Sequence, residues 1–189
     1  MARIETKQLW IPAVLGAGLT LCDRMHWRHG ALTYGQPGLL GGQPLWVPPP
    51  FAAAAIVLVF AHRWVVGLRL GHAPRATGFT AVAQCAVFIL AYACTAWFHG
   101  QPWLLAMALT ASWIPVALTQ RYAGFIPFAL VAAVMGPLGE WGVSALGGFH
   151  YTHPELGAVP IWLPPLYLWA AYCGAGLDRW LAPRSALER

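Results

Sequence analysis

The sequence predicts an all-α polytopic membrane protein, with residues 1–189 forming a single domain of six transmembrane helices. Of its 189 residues, 59% are hydrophobic and only 9% are Asp, Glu, Lys or Arg. Soluble domains have about 45–50% apolar residues and about 25% charged residues. Six apolar stretches alternate with short polar segments, and the first and last thirds of the chain repeat one another. This composition excludes a water-soluble enzyme and a disordered segment, because so few charges cannot cover a globule of this size.

A helix needs about 20 residues to cross a bilayer, and each apolar stretch reaches or nearly reaches this length. Helices are the expected spans because backbone groups in lipid need partners within their own segment. The first stretch has the length of a signal-peptide core, but residues 19–22 lack the small side chains of a cleavage site, which predicts a retained helix. The predicted spans are Leu9–Cys22, Phe51–Leu70, Gly78–Phe98, Trp103–Leu118, Ala123–Gly147 and Val159–Leu177.

The positive charges predict the orientation of these spans. Six crossings place both termini on one side, together with the second and fourth loops. That side carries Arg3, Lys7, Arg63, Arg69, Arg75, Arg121, Arg179, Arg184 and Arg189, and the other side carries Arg24 and Arg28. Because cations are retained on the cytoplasmic side, both termini are predicted to be cytoplasmic. The net charge of +5 therefore reflects topology, and we predict no nucleic-acid partner.

An internal repeat relates spans one and two to spans five and six. The first copy reads Tyr34-Gly-Gln-Pro37, Pro44-Leu-Trp46-Val-Pro48-Pro49 and Arg63-Trp64; the second reads Tyr151-Thr-His-Pro154, Pro160-Ile-Trp162-Leu-Pro164-Pro165 and Arg179-Trp180. An acidic residue, Asp23 or Glu140, precedes each Tyr by 11 positions. Both copies run outward and then inward, which predicts a parallel repeat rather than the inverted repeat of many transporters. The proline pairs suit the first turn of a helix.

Two of these segments resemble the Insig (insulin-induced gene) family. Its eukaryotic members carry Trp-Val-Pro-Pro and Tyr-Thr-Ser-Pro-Asp…Trp-Leu-Pro, where this chain has Trp46-Val-Pro-Pro49 and Tyr151-Thr-His-Pro-Glu155…Trp162-Leu-Pro164. The resemblance implies a non-catalytic membrane protein that binds a lipid between its helices, in eukaryotes an oxysterol, with sterol-sensing membrane proteins as partners. His153, Glu155 and Pro165 replace the family's Ser, Asp and Cys. The fold and a lipid pocket therefore carry over better than the regulatory role.

Together, the resemblance and an Arg-rich cation content predict a bacterial homologue in the cytoplasmic (inner) membrane. The expected ligand is a diacylglycerol or a sterol-like lipid. A homo-oligomer is compatible with the sequence, and no membrane-protein partner can be specified.

The predicted ligand site contains Glu140, Gln84, Tyr151, Glu155, Trp162 and Trp46. Glu140 is the acidic residue that lies deepest in an apolar span, where ionisable groups face a bundle interior or a cavity. The alternative for Glu140 is an interhelical hydrogen bond to Gln84, Ser112 or Ser144. Glu155 aligns with a functional acid of the resembled family, and its alternative is a solvated loop charge. For Tyr151 and the tryptophans, the alternative is interfacial anchoring.

No cofactor, catalytic residue or metal is predicted. The i, i+3 spacing of His26 and His29, and of His150 and His153, could support a metal site, but no known ligand motif is matched. The four cysteines lie in or beside apolar stretches without a CxxC motif, which favours core-filling thiols over a disulfide or zinc. The alternative function is a carotenoid cyclase-like enzyme acting on an isoprenoid or polyene lipid. Its paired Glu-Glu is replaced here by Trp46-Val-Pro-Pro49 and Trp162-Leu-Pro-Pro165.

Overall fold

The computed structural model describes residues 5–36, 38, 39, 42–68 and 73–182. These residues form six helices: α1 (Lys7–Arg28), α2 (Pro48–Gly67), α3 (Gly78–Phe98), α4 (Pro102–Thr119), α5 (Phe125–Ala145) and α6 (Leu163–Leu181). Two short strands, β1 (Leu32–Tyr34) and β2 (Phe149–Tyr151), complete the fold. The prediction of a helical protein is confirmed, with this strand pair as an addition. Of the residues named above, Arg3, Pro37, Arg69, Leu70, Arg184 and Arg189 lie outside the described residues.

Four helices are long and apolar enough to cross a membrane by length and composition, namely α2, α3, α4 and α5. The other two helices carry more charge near their ends: α1 contains Lys7, Asp23, Arg24 and Arg28, and α6 contains Asp178 and Arg179. Helix α6 contacts each of the other five helices and is buried along most of its length. A helix enclosed by protein needs less apolar surface than one that faces lipid, so hydropathy alone underestimates it.

The bounds of α1 and α6 differ from the predicted spans for a related reason. Helix α1 continues to Arg28, six residues beyond the predicted end at Cys22, and helix α6 continues to Leu181, four beyond Leu177. Both extensions carry polar residues that find partners inside the bundle, such as Asp23 in α1 and Asp178 in α6. Helix α3, whose ends coincide with its apolar stretch, has the predicted bounds.

Local chemistry explains where the helices begin. Proline occupies the first turn of α2, α4 and α6. Backbone N–H groups there have no partner within the helix, so the missing N–H of proline costs no hydrogen bond. Thr77 caps α3 by accepting a hydrogen bond from the Thr80 N–H at 3.1 Å. The proline pairs at 48–49 and 164–165 thus lie at helix starts as predicted.

The loops that follow α1 and α5 pair with each other. Strands β1 and β2 are antiparallel, with Leu32 opposite Tyr151 and Tyr34 opposite Phe149. At the opposite end of the bundle, the Gln8 Nε2 donates to the Leu181 carbonyl at 3.1 Å, which joins the start of α1 to the end of α6. The chain therefore gathers the α1–α2 and α5–α6 loops at one end and the first and last described helix termini at the other.

Candidate functional site

A cavity of about 520 Å³ lies among α1, α2 and α5, with contributions from α3, α6 and both strands. Most of its wall is apolar and comes from α2 and α5, including Val57, Leu58, Val131 and Met135. The polar groups are concentrated in one set, which we term the cavity cluster. It consists of Asp23, Tyr34, Tyr92, Glu140, Tyr151 and Tyr167.

Glu140, on α5, is bonded to two tyrosine hydroxyls. The Tyr151 hydroxyl donates to Oε2, and the Tyr167 hydroxyl donates to Oε1 at 2.8 Å. Tyr151 reaches the carboxyl because the chain leaves α5 at Ala145 and returns through β2, eleven positions after Glu140. These two tyrosines take the place of the partners that the sequence suggested for Glu140, namely Gln84, Ser112 and Ser144.

Asp23, on α1, is the counterpart of Glu140 in the first copy of the repeat. It is buried, and the Tyr34 hydroxyl donates to its Oδ2 from eleven positions along the chain. Two further donors reach it: Gln43 Nε2 at 3.0 Å from Oδ2, and the Tyr92 hydroxyl at 3.3 Å from Oδ1. The spacing of 11 residues in the repeat therefore corresponds to the same carboxyl–tyrosine contact in both copies.

Within the part of the chain that the structure describes, neither carboxyl of the cavity cluster forms an ion pair. Both are satisfied by neutral hydroxyl or amide donors. Burial raises the pKa of Tyr34 and of Tyr151 well above the ordinary value, and the neighbouring carboxyls add to the effect. These two phenols therefore stay protonated and remain hydrogen-bond donors. A carboxyl that is ionised in this apolar cavity also repels any further anion, since screening there is weak.

An edge-on tyrosine–tryptophan contact recurs in both copies of the repeat. The ring centroids are 6.3 Å apart at 88° for Tyr34 and Trp46, and 5.7 Å apart at 89° for Tyr151 and Trp162. Edge-to-face geometry at this distance is favourable for aromatic rings. The tryptophans differ in their surroundings: Trp46 lines the cavity, whereas Trp162 is 1% exposed and stacks on His26.

Three of the predicted site residues line the cavity, and three do not. Glu140, Tyr151 and Trp46 belong to its wall. Gln84 is buried on α3 beside Gly176 of α6, and Glu155 is exposed in the loop before α6, where its Oε2 accepts from the Ile161 N–H at 3.2 Å. Trp162 packs behind the wall. The structure thus places Gln84, Glu155 and Trp162 outside the cavity lining.

Sequence reasoning did not assign Asp23, Tyr34, Tyr92 or Tyr167 to the site. For Asp23 and Tyr34 the repeat contained the necessary information, because both occupy the positions of Glu140 and Tyr151. Tyr92 and Tyr167 had no such signal. Each is an isolated aromatic residue in an apolar helix, and only the rotation of that helix turns it toward the cavity.

A second group of polar side chains lies near the opposite end of the bundle, and we term it the Asp178 cluster (His62, Arg63, Tyr122 and Asp178). All of them are buried except Arg63, which is half-buried. Arg63 donates to Asp178 Oδ1 through Nη2 at 2.5 Å and Nε at 3.0 Å. His62 Nδ1 lies 2.8 Å from Asp178 Oδ2, and its Nε2 lies 2.9 Å from the Tyr122 hydroxyl. Burial raises the pKa of Tyr122, a loop residue, to about 12. His62 and Asp178 are themselves equivalent positions of the repeat, so this cluster joins the two copies.

Among the described residues, no group of three or more His, Cys, Asp or Glu side chains is placed to hold a metal ion. The four histidines His29, His99, His150 and His153 lie near the end that carries the strands. His99 and His153 stack with centroids 5.7 Å apart, and His99 Nε2 bonds to the His29 carbonyl. His26 instead turns inward to Thr95.

The helices and their internal cavity define this chain as an α-helical integral membrane protein. No family model matches it, and no curated protein does. Among solved structures, the chain is similar to a mycobacterial Insig homologue from Mycobacterium vanbaalenii, with a TM-score of 0.83 and 25% identity over 97% of this chain and 98% of that one. It is also similar to a cross-linked trimer of that homologue, with a TM-score of 0.80 and 24% identity over 94% and 95% of the two chains. The likeness to the first of these structures confirms the resemblance carried by the Trp-Val-Pro-Pro and Tyr-Thr-His-Pro-Glu segments.

Proposed function

We propose that this protein binds an uncharged, hydroxyl-bearing lipid in its cavity, as a non-catalytic lipid-binding protein of the inner membrane. A diacylglycerol or a sterol-like molecule has the required chemistry. The observation that carries the proposal is the division of the cavity wall into an apolar surface on α2 and α5 and a cluster of two carboxyls and four tyrosine hydroxyls. An amphipathic molecule matches such a wall, with its tail against the aliphatic part and its head at the cluster.

The cluster also restricts the charge of the lipid head. Carboxyl oxygens have more acceptor sites than their present donors occupy, so a ligand hydroxyl can donate to Asp23 or Glu140. A phosphate head would instead bring a negative charge next to two acids with no cation to compensate it, which is costly in a medium of low dielectric constant. The proposed pocket therefore selects neutral lipids over anionic phospholipids.

The dimensions of the cavity support a ligand of lipid size. Its volume of about 520 Å³ lies within the range of about 300–1,000 Å³ that is typical of small-molecule sites. Its apolar wall extends along α2 from Phe51 to Ala61 and along α5 from Phe128 to Val143.

For the topology, we propose six crossings with both termini in the cytoplasm. The strand pair gathers the loops after α1 and α5 at one end, and the Gln8–Leu181 bond gathers the start of α1 and the end of α6 at the other. Lys7, Arg63, Arg75 and Arg179 lie at this second end, whereas Arg24 and Arg28 lie toward the strands. Retention of cations on the cytoplasmic side supports the assignment.

Native mass spectrometry of the gently extracted protein tests lipid binding. Gly139 lines the cavity, and a Cβ added there meets no other atom within 4 Å, so Gly139→Phe places a ring in the cavity without a clash at its root. Because overpacking costs about 1–3 kcal/mol, we expect retention of lipid to fall about 5- to 150-fold. Gly142→Phe is the matched control, since Gly142 is equally open but lies outside the cavity lining. Equal lipid retention in both variants would contradict the proposal.

Selectivity for the lipid head can be tested separately by a competition between diacylglycerol and phosphatidic acid in detergent micelles. The wild type is expected to retain diacylglycerol. The double variant Asp23→Asn, Glu140→Gln removes the two acids and should raise the retained share of phosphatidic acid, because the electrostatic exclusion is gone. An unchanged ratio would refute the role assigned to the two carboxyls while leaving lipid binding itself intact.

The enzymatic alternative keeps one structural argument. The chain lacks the adjacent Glu-Glu pair of the carotenoid cyclases. However, two acids from distant parts of the chain, Asp23 and Glu140, line one cavity. A pair of acids in an apolar cavity could protonate a polyene. Turnover of an isoprenoid or polyene lipid by the purified protein, abolished by Glu140→Ala, would establish this second function in place of the first.

The solved trimer of a similar protein also supports self-association. The same native mass spectra report the number of copies directly. We expect a homo-oligomer that persists in mild detergent.

A further inference from the structure

Two cysteines on different helices meet inside the bundle. Cys85, on α3, and Cys173, on α6, are 88 positions apart in the chain, and their sulfur atoms are separated by 3.1 Å. A disulfide has an S–S length of about 2.05 Å, so a relative shift of about 1 Å would bring the sulfurs to bonding distance. Cys22 and Cys94, the other two cysteines, have no such partner among the described residues.

The close approach of α3 and α6 at this level has a local cause. Gly176 lies one helical turn beyond Cys173, and a Cβ at that position would collide with the Gln84 amide. Small residues at a helix crossing let two backbones approach closely. The absence of a side chain at Gly176 therefore leaves room for Gln84 and lets α6 lie close to the turn of α3 that carries Gln84 and Cys85.

The two thiols differ in how they can be reached. Cys85 is half-buried, and Cys173 is 8% exposed. Neither hydrogen-bonds to a charged side chain in the described part of the chain. A water-soluble disulfide has poor access to a thiol on an apolar, membrane-spanning helix, and exchange depends on access. An oxidant dissolved in the lipid, by contrast, can reach Cys85 from the membrane.

We propose that Cys85 and Cys173 form a dithiol site that a lipid-soluble quinone oxidises to an intramembrane disulfide. Both S–H bonds break and one S–S bond forms. The two electrons and two protons pass to the quinone, which leaves as the hydroquinone. The reaction joins α3 to α6, the helices that supply Tyr92 and Tyr167 to the cavity cluster, and a bridge between them restrains the relative movement of these two tyrosines.

The test uses the full chain in phosphatidylcholine vesicles, in a Cys22→Ser, Cys94→Ser background that leaves only the proposed pair. Addition of a short-chain benzoquinone with a fully substituted ring, which leaves no ring carbon open to thiol addition, should lower the intact mass by about 2 Da, the loss of two hydrogens. Peptide mapping should recover residues 85 and 173 in one cross-linked fragment. Hydroquinone should appear in a one-to-one ratio with protein. The bridge should also raise the midpoint of thermal unfolding by about 5 °C or more, because it closes a long loop.

Cys85→Ser and Cys173→Ser should each abolish the mass change, and Cys85→Ala serves if the serine variant does not fold. Gly176→Leu leaves both thiols in place, but its larger side chain has no room beside Gln84 even if the amide rotates away, so it should separate the helices and slow the cross-link several-fold. Thiols that remain free under excess quinone in the folded protein would overturn the proposal. So would a cross-link whose rate is the same in Gly176→Leu, since it would not depend on the helix contact.

Discussion

The cavity cluster and the Asp178 cluster stabilise buried acidic side chains with different kinds of partner. Each holds a carboxylate inside a helix bundle in which few charges are present. Asp178 is surrounded by Arg63 and His62, with an arginine nitrogen 2.5 Å from one oxygen and a histidine nitrogen 2.8 Å from the other. Asp23 and Glu140 receive only hydroxyl and amide hydrogens.

The difference distinguishes the structural role of the Asp178 cluster from the binding role that we propose for the cavity cluster. A buried carboxylate with a matched cation has its charge compensated, and it connects the elements that carry the two partners. The Asp178 cluster connects α2, α6 and the α4–α5 loop in this way. The carboxyls of the cavity cluster lack such a cation and open onto a cavity, which leaves acceptor capacity for a ligand. Three predictions test this contrast, in order of decreasing effect.

The largest effect is expected for Asp178→Ala. Removing one partner of a buried ion pair leaves the other uncompensated and costs about 3–5 kcal/mol, so the variant should unfold at a markedly lower temperature in detergent. Glu5→Ala is the matched control: Glu5 also pairs with a cation, at 2.7 Å from Lys7, but both groups are exposed, and such pairs contribute about 0–1 kcal/mol. Equal stability of the two variants would show that the Asp178 cluster does not hold the helices together.

An intermediate effect is expected for the two tyrosines of the repeat. Tyr151→Phe removes one of two donors to Glu140, whereas Tyr34→Phe leaves Asp23 with Gln43 and Tyr92. Loss of a donor to a buried acceptor costs about 1–3 kcal/mol, and we expect Tyr151→Phe to lie at the upper end and Tyr34→Phe at the lower. Thermal unfolding of the two variants under identical conditions measures the order. The reverse order would mean that the two acid–tyrosine pairs do not contribute to stability as their hydrogen bonds indicate.

The smallest effect is expected for Glu155→Gln. Glu155 is exposed, and its one bond, from the Ile161 N–H, can be made equally well by an amide oxygen. Stability should change by less than about 0.5 kcal/mol, and retention of lipid in native mass spectra should be unchanged. A loss of lipid comparable to that of Gly139→Phe would restore Glu155 to the binding site and weaken the assignment of that site to the cavity cluster.

How far the sequence could predict the fold depended on the kind of helix. Helix α3 is flanked by polar loops and bounded by its own apolar stretch, so its ends were predicted correctly. Helices α1 and α6 extend into polar residues that are stabilised by contacts from elsewhere in the chain, and no local pattern indicates those contacts. The strand pair was missed because each strand has only three residues and its partner lies more than a hundred positions away.

The candidate site could be predicted only in part, because some of its residues are marked by local patterns and others only by long-range contacts. Glu140, which lines the cavity, was predicted as a site residue because an acid in an apolar span is costly and needs a partner. The repeated interval of 11 residues already linked Asp23 to Tyr34 and Glu140 to Tyr151, although it did not by itself identify a hydrogen bond. Gln84 was included as a polar residue in an apolar span, but its helix turns it toward Gly176 instead of the cavity.

The sequence by itself determined the membrane class, the helical segments, the repeat and the resemblance to the Insig family, because these depend on composition, on local spacing and on short motifs. Only the tertiary structure decided which helix faces meet. A helix that is apolar on every side has no periodic pattern to mark its inward face. Three features therefore depend on helix rotation and packing, which long-range contacts determine. They are the meeting of Asp23 and Glu140 in one cavity, the contributions of Tyr92 and Tyr167 to that cavity, and the pairing of His62 with Asp178.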